Sequence, residues 1–435
     1  MSGIDAICAR AREASLALAP LPGEARDAAL RAMAEAVEKG AEAILAANAG
    51  DVEASRGQIP LPLLKRLGLD AAKVRQMAEG VRAVAALPDP VGRVTLGTLL
   101  DEGLRLRRVT CPIGVIAAVF ESRPDALVQI ASLCLKAGNA SILKGGREAA
   151  RTNRVLADLL GEAAARQEGV PRAALQLLEA REEVEALLAR DDAIDLIVPR
   201  GSNEFVRHIK ARSRIPVLGH ADGVCHLYVD RAADIGMAVA LAVDAKTQYA
   251  AVCNAIETLL VHREAAPAFL PRAAGALRAK GVELRGCERT RAILRDALPA
   301  SEADWKTEYL DLVLSVRVVD DLGEAIAHIN RYGSRHTDAI VTGDAAAARE
   351  FMRRVDAASV MWNASTRFAD GFRYGFGAEV GIATDKIHAR GPVGLEGLVT
   401  YKYQVEGEGH CVAEYDGEGA RPFLHRPLPP EPGTK

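Results

Sequence analysis

Apolar residues recur at helical spacing through residues 4–48, where Leu30, Met33, Val37 and Ile44–Leu45 alternate with Glu and Arg. A period near 3.6 predicts amphipathic helices. Pro20-Leu21-Pro22-Gly23 separates the first helix from the second, because proline and glycine interrupt regular structure. The helical pattern continues over residues 61–87 and stops at Pro88-Asp89-Pro90. This lead-in carries no recognisable chemistry and is expected to serve packing. Residues 93–110 switch period: two short alternating runs flank Asp101-Glu102-Gly103, a hairpin signal. Over residues 104–109 Leu and Val alternate with Arg, which suits a strand with one wet face. Residues 398–405, LVTYKYQV, are the matching strand. Together these runs predict an arm for oligomer contacts, with an ordinary edge hairpin of one subunit as the alternative.

From Gly114 onward strands and helices alternate. GVIAAVF is an apolar strand, and Pro124 opens a helix bearing Leu127, Ile130, Leu133 and Ala137 that Gly138 closes. Strands follow at residues 141–144, 175–180 and 195–199. After the strand CHLYVD a second run begins, with ETLLVH, residues 312–319, DAIVTG and SVMWN as strands and helices between them. Such alternation predicts parallel sheets flanked by helices, with ligands at the carboxyl ends of the strands. Three stretches fall at those ends: residues 121–124, 144–147 and 200–203.

At 435 residues the chain exceeds one ordinary core, so two or three domains are expected. A formal net charge of -3 and 4% aromatic content argue against a nucleic-acid surface. No stretch approaches the roughly 18 apolar residues of a membrane span. Residues 1–10 lack a signal-peptide pattern, and seven scattered cysteines suit a reducing compartment. A cytoplasmic enzyme or binding protein is expected.

The cysteine of most interest is Cys253, which stands just before the strand-like run 258–261 and is followed by Asn254. An exposed turn on a rigid β element would suit a nucleophilic thiolate; a buried structural cysteine fits the same residues. The others, Cys8, Cys111, Cys134, Cys225, Cys287 and Cys411, form no pair or Cys/His cluster at zinc spacing, so no metal is expected. There is no GxGxxG fingerprint. In its place, Lys144-Gly145-Gly146-Arg147 puts two cations and two glycines at a strand end, and Gly201-Ser202-Asn203 puts Gly and a capping Ser at a helix start. Both suit phosphate groups. Residues 363–396 form a long Gly-rich stretch with Arg367, Arg373, Lys386 and Arg390, cations fit for a carboxylate or phosphate.

Four stretches, AVCNAIETLLVH, VIAAVFESRPDALVQIASLCLKAGNASILKGG, VPRGSNEFVRHI and NASTRFADGFRYGFGAEVGIATDKIHARGPVGLEGLVTYKY, resemble the γ-glutamyl phosphate reductase family of the aldehyde dehydrogenase superfamily. The resemblance implies an α/β, aldehyde-dehydrogenase-like fold. Residues 1–92 and 111–230 would form a Rossmann-type NADP(H) domain, and 231–395 an α/β catalytic domain. Residues 93–110 and 396–409 would form a β-hairpin oligomerisation arm, and 410–435, rich in Pro, Gly and charge, a disordered tail. It implies that Cys253 is the nucleophile, that Lys144 meets the adenine ribose with Gly146 beside it, and that Arg147 meets a 2′-phosphate, favouring NADP(H). Gly201 and Ser202 would form the pyrophosphate loop, and Glu308 would hold the nicotinamide ribose. Val217 falls where oxidising relatives carry the glutamate that activates water, as a reductase passing through a thioester requires. The implied reaction is NADPH-dependent reduction of L-glutamyl 5-phosphate to glutamate 5-semialdehyde in proline biosynthesis. The Cys253 N–H, with Asn254 or Ser122, would donate to the oxyanion. His220, Arg367 and Arg373 are candidates for substrate carboxylate or phosphate. The residues offer no histidine partner for Cys253. They leave open dimer against tetramer and a transient contact with glutamate 5-kinase. An aldehyde oxidiser, an acyl-CoA reductase and an inactive scaffold relative are the alternatives.

Overall fold

The lead-in helices form because each puts its small and aliphatic residues on one stripe. Gly23–Lys39 buries Ala29, Leu30, Met33, Ala34 and Val37, and Ala71–Ala86 buries Val74, Met77, Ala78, Val81 and Val84. Asp70 caps the second by accepting from the Lys73 N–H. Buried cations lock this layer to the helix Pro124–Lys136: Arg26 donates to the Lys136 carbonyl at 2.6 Å, and Lys136 pairs with Asp27 at 2.5 Å. The computed structural model describes residues 3–179 and 182–429; Ala180, the end of one expected strand, lies outside them.

Two parallel sheets carry the molecule. The first runs Leu175–Leu178, Ala140–Lys144, Val115–Phe120, Leu196–Arg200. Its strand Val115–Phe120 is buried along its whole length, which explains its unbroken apolar sequence. The second runs Leu298–Pro299, Glu283–Gly286, Val313–Val319, Ile256–His262, Cys225–Val229, Thr337–Val341, Ser359–Trp362, again all parallel.

This topology corrects the expected domain limits twice. Cys225–Val229, assigned from sequence to the cofactor domain, pairs with Ile256–His262 and Thr337–Val341 in the second sheet. At the other end, Val380, Ala383, Val393 and Leu395, expected in the catalytic domain, pack into the first domain's core. Apolar runs announce burial, but not which sheet they are buried in.

The hairpin strands Val94–Asp101 and Leu104–Pro112 pair as expected, and Val399–Glu406 joins the second of them antiparallel, within the same chain. The tail departs from expectation. Arg426–Pro427 pairs with Val94–Asp101, Tyr415 and Arg421 bind Asp101 at 2.8 and 2.6 Å, and Tyr415 stacks on Phe423. An acidic anchor on the hairpin and aromatic stacking within the tail thus order a Pro- and Gly-rich segment through residue 429 that composition read as disordered. Residues 430–435 lie outside the described chain.

Candidate active site

Cys253 occupies the turn that delivers the chain into Ile256–His262. The turn is held from several sides. The Cys225 thiol donates to the Cys253 carbonyl at 3.1 Å, Thr366 Oγ1 donates to the Asn254 carbonyl at 2.7 Å, and Asn254 Nδ2 donates to the Ala369 carbonyl at 2.9 Å. Gly223 presses so closely that a Cβ there would lie 2.2 Å from the Cys253 carbonyl oxygen and 2.5 Å from its Cα. Only glycine permits that approach.

His336 is the partner that sequence reading missed. It stands one residue before Thr337–Val341, and its Nε2 lies 3.1 Å from Cys253 Sγ. Its tautomer follows from its neighbours. The Cys225 thiol proton is committed to a carbonyl, so Cys225 Sγ, 3.7 Å from His336 Nδ1, faces it as an acceptor. Thr337 Oγ1 lies 2.8 Å from the same nitrogen. A proton on Nδ1 satisfies both contacts and leaves the Nε2 lone pair facing the Cys253 thiol. Burial, with His220 adding to it, pushes His336 well below the usual histidine range, so the ring is neutral and able to accept. Burial, aided by the charges of Glu308 and Glu379 and opposed by Arg200, pushes the Cys253 thiol up to about 12. With the thiol held protonated and the ring a weakened base, the proton must move as the sulfur attacks, and His336 is the base at hydrogen-bond distance. The only sequence signal for His336 was a lone His before a strand, 83 residues from the cysteine.

His220 joins the pair edge-on to His336, with ring centroids 4.8 Å apart, while its Nδ1 donates to the Ile382 carbonyl. Arg367 is buried, donates to Gln248 at 3.0 Å and lies within electrostatic reach of Cys253. Arg373 stands further out, donating to the Arg367 carbonyl. Arg200 and Glu379 were not singled out from sequence. Arg200 donates to the Val380 carbonyl, Glu379 accepts from the Gly371 N–H, and both act on Cys253 through their charge. Ser122 is at hand but engaged: its N–H and hydroxyl both donate to Glu148, at 2.6 and 2.7 Å, so its hydroxyl is not poised for an oxyanion. Asn254 Oδ1 is buried without a partner and is an acceptor only. The Cys253 N–H, close enough to favour its own thiolate, is the donor that remains.

The cofactor candidates gather at the ends of the first sheet. Lys144 is buried, with Nζ 2.6 Å from the Gly145 carbonyl, and Arg147 is exposed with no ion pair among the described residues. A Cβ on Gly145 or Gly146 would lie 2.0 Å from Asn153 or Glu148. Ser202 caps the helix Asn203–Arg212 by accepting from Phe205, and its own N–H donates to Glu121 at 2.9 Å. Glu308 accepts from Asn203, which brings it between that helix and the thiol; burial raises its pKa. Val217 bridges to Ile197 at the edge of the first sheet and presents no carboxylate.

A Rossmann-like sheet facing a second α/β domain across a Cys–His pair defines a thiol-dependent oxidoreductase, and a model of the Aldehyde dehydrogenase family matches residues 2–286. A gamma-glutamyl phosphate reductase of Pelotomaculum thermopropionicum is 58% identical over 420 residues, 96% of this chain and 96% of its own length. One from Synechococcus is also 58% identical, covering 96% and 92%. The crystal structure of gamma-glutamyl phosphate reductase from Thermotoga maritima superposes with a TM-score of 0.92 at 40% identity, covering 94% of this chain and 99% of that one. The chain belongs to the aldehyde dehydrogenase family, in its γ-glutamyl phosphate reductase branch.

Proposed function

We propose that the chain reduces L-glutamyl 5-phosphate to L-glutamate 5-semialdehyde and phosphate, in the route from glutamate to proline, with NADPH as reductant. The observation that carries this reading is the 3.1 Å contact between Cys253 and His336; the resemblance that puts Val217 where oxidisers carry a water-activating glutamate supports it. His336 Nε2 takes the thiol proton as Sγ attacks the acyl carbon. The bond to the phosphate oxygen breaks, phosphate departs with the electron pair and takes a proton from solvent, and Cys253 holds a thioester. Arg200 and Arg367 supply positive charge for the departing group. Nicotinamide, when bound in reduced form, supplies hydride to the acyl carbon. The Cys253 N–H donates to the resulting oxyanion. On collapse, His336 returns its proton to the departing Cys253 sulfur.

The cofactor fits the residues present. Side chains at 145 and 146 would crowd Asn153 and Glu148, Arg147, exposed and without an ion pair among the described residues, suits a 2′-phosphate, and Glu308 acts on the thiol through its charge. For the substrate's amino-acid end, a cleft of about 450 Å³ lies between the helices Ala71–Ala86 and Pro124–Lys136. Arg66, Lys73, Arg123 and Asp125 line it and offer opposite charges to an α-carboxylate and an α-ammonium group. An oligomer built on the arm belongs to the same reading: Tyr401, Tyr403 and Val405 are exposed on its outer strand. Among the described residues no helix is long and apolar enough to cross a membrane.

The test is NADP-linked oxidation of glutamate 5-semialdehyde with and without inorganic phosphate. Strict dependence on phosphate is expected. Full activity without phosphate would mark an aldehyde oxidiser, and dependence on coenzyme A an acyl-CoA reductase.

A further inference from the structure

We propose that His220, Cys253 and His336 together bind Zn²⁺, which holds the nucleophile in a reversible resting state. The three ligand atoms come from residues far apart in sequence, yet all lie within 4.8 Å of one another. Ligands around a tetrahedral zinc sit roughly 3.3–3.6 Å apart, given Zn–N near 2.0 Å and Zn–S near 2.3 Å. Side-chain rotations of about an ångström close the difference without moving the sheet.

The second nitrogens of both rings are already held. His220 Nδ1 faces the Ile382 carbonyl at 2.8 Å; a carbonyl only accepts, so that nitrogen carries the proton and the Nε2 lone pair is free for a metal. His336 Nδ1 faces Thr337 Oγ1 and Cys225 Sγ, which leaves its Nε2 toward Cys253. Zinc-binding histidines are fixed in this manner, by a hydrogen bond from the ring nitrogen that does not touch the metal. Two neutral imidazoles and one thiolate form a three-ligand set with a fourth position open to water or an oxyanion.

Charges of both signs surround the three ligands, with Lys210 and Asp222 acting on His220. Glu308 and Glu379 favour a cation, and Arg200 and Arg367 oppose one. On binding, the S–H bond breaks, the proton passes to solvent, and a sulfur–zinc bond forms with no change in oxidation state. While the metal is held, the sulfur lone pair is unavailable to substrate, alkylating agents or peroxide. This site does not depend on which acyl phosphate the enzyme reduces, so its test is separate from the phosphate-dependence assay above.

The test titrates Co²⁺, as a spectroscopic stand-in for zinc, into the purified full chain freed of metal. One equivalent is expected to bind, giving a thiolate-to-cobalt charge-transfer band and the intense visible bands of a tetrahedral site. Zn²⁺ should displace it, protect Cys253 from iodoacetamide, and release that protection on addition of EDTA. Cys253→Ser should abolish the charge-transfer band, and His220→Ala should weaken binding by at least about tenfold. Prior alkylation of the wild-type thiol must also abolish the band, which covers the case of a Ser variant that folds poorly. No stoichiometric binding, or a band that survives alkylation of Cys253, would overturn the proposal.

Discussion

Lys144 through Arg147 and Cys253 both stand at the margins of parallel sheets, but their neighbours come from different distances along the chain. Around the Lys144–Arg147 turn most neighbours are near: Gly145 accepts from Lys144, and Asn153 and Glu148 crowd Gly145 and Gly146, all within ten residues, with Glu179 acting on Lys144 through its charge from further along. Around Cys253 they are remote. His336 arrives from 83 residues downstream, Cys225 from 28 upstream, and His220, Arg200 and Glu379 from other strand ends and loops. A phosphate loop needs backbone N–H groups and a cation, which a short glycine-rich turn supplies by itself. A thiol raised to about 12 needs a base aimed at its sulfur, and only the packed sheet can aim one.

That contrast can be broken or sharpened by substitution. The largest effect is expected from Cys253→Ser, which should lower turnover of the acyl phosphate by at least about 10³-fold while leaving NADPH binding intact. Near wild-type turnover would remove the covalent step altogether. His336→Gln keeps hydrogen-bonding capacity but not basicity. Its kcat should fall about 10²-fold or more, with a parallel loss in the rate of iodoacetamide alkylation at neutral pH. An unchanged alkylation rate would mean that another group accepts the thiol proton.

A smaller effect is expected beneath the thiol turn, where Lys246 and Glu257, both fully buried, pair at 2.5 Å. Glu257 also accepts from the Leu310 N–H at 3.2 Å, in the loop that carries Glu308. Burial pushes both groups toward their neutral forms, and their mutual attraction opposes it. Lys246→Met leaves a buried carboxylate alone and should cost about 3–5 kcal/mol of unfolding free energy, measured by urea denaturation. The double variant Lys246→Met/Glu257→Leu should recover most of that loss. The mildest change is local: Arg147→Gln should raise KM for NADPH about tenfold and leave KM for NADH nearly unchanged. Equal losses with both cofactors would show that Arg147 does not read the 2′-phosphate.

What could be read before folding follows the same division. Helical periodicity placed the lead-in helices, and alternation with a turn signal placed the hairpin strands, because both are properties of neighbouring residues. Cys253 and the glycine-rich turn at 144–147 could be singled out for the same reason. Ser122 was misjudged as an available donor because its partner, Glu148, comes from across the strand end and consumes its hydroxyl. The tail was misjudged because composition reports the lack of a core of its own, and not the Asp101 anchor that a hairpin 314 residues away provides.

By itself the sequence determined most of the helices and the longer strands, where the glycine-rich loops fall and which cysteine stands in a turn just ahead of a buried strand, all from patterns within a few residues. Tertiary structure alone decided that Cys225–Val229 joins the second sheet and that residues 380–399 return to the first core. It also decided that His336 faces Cys253. Parallel sheets join strands that are distant along the chain, and the side chains at their ends become neighbours only once the crossovers are made.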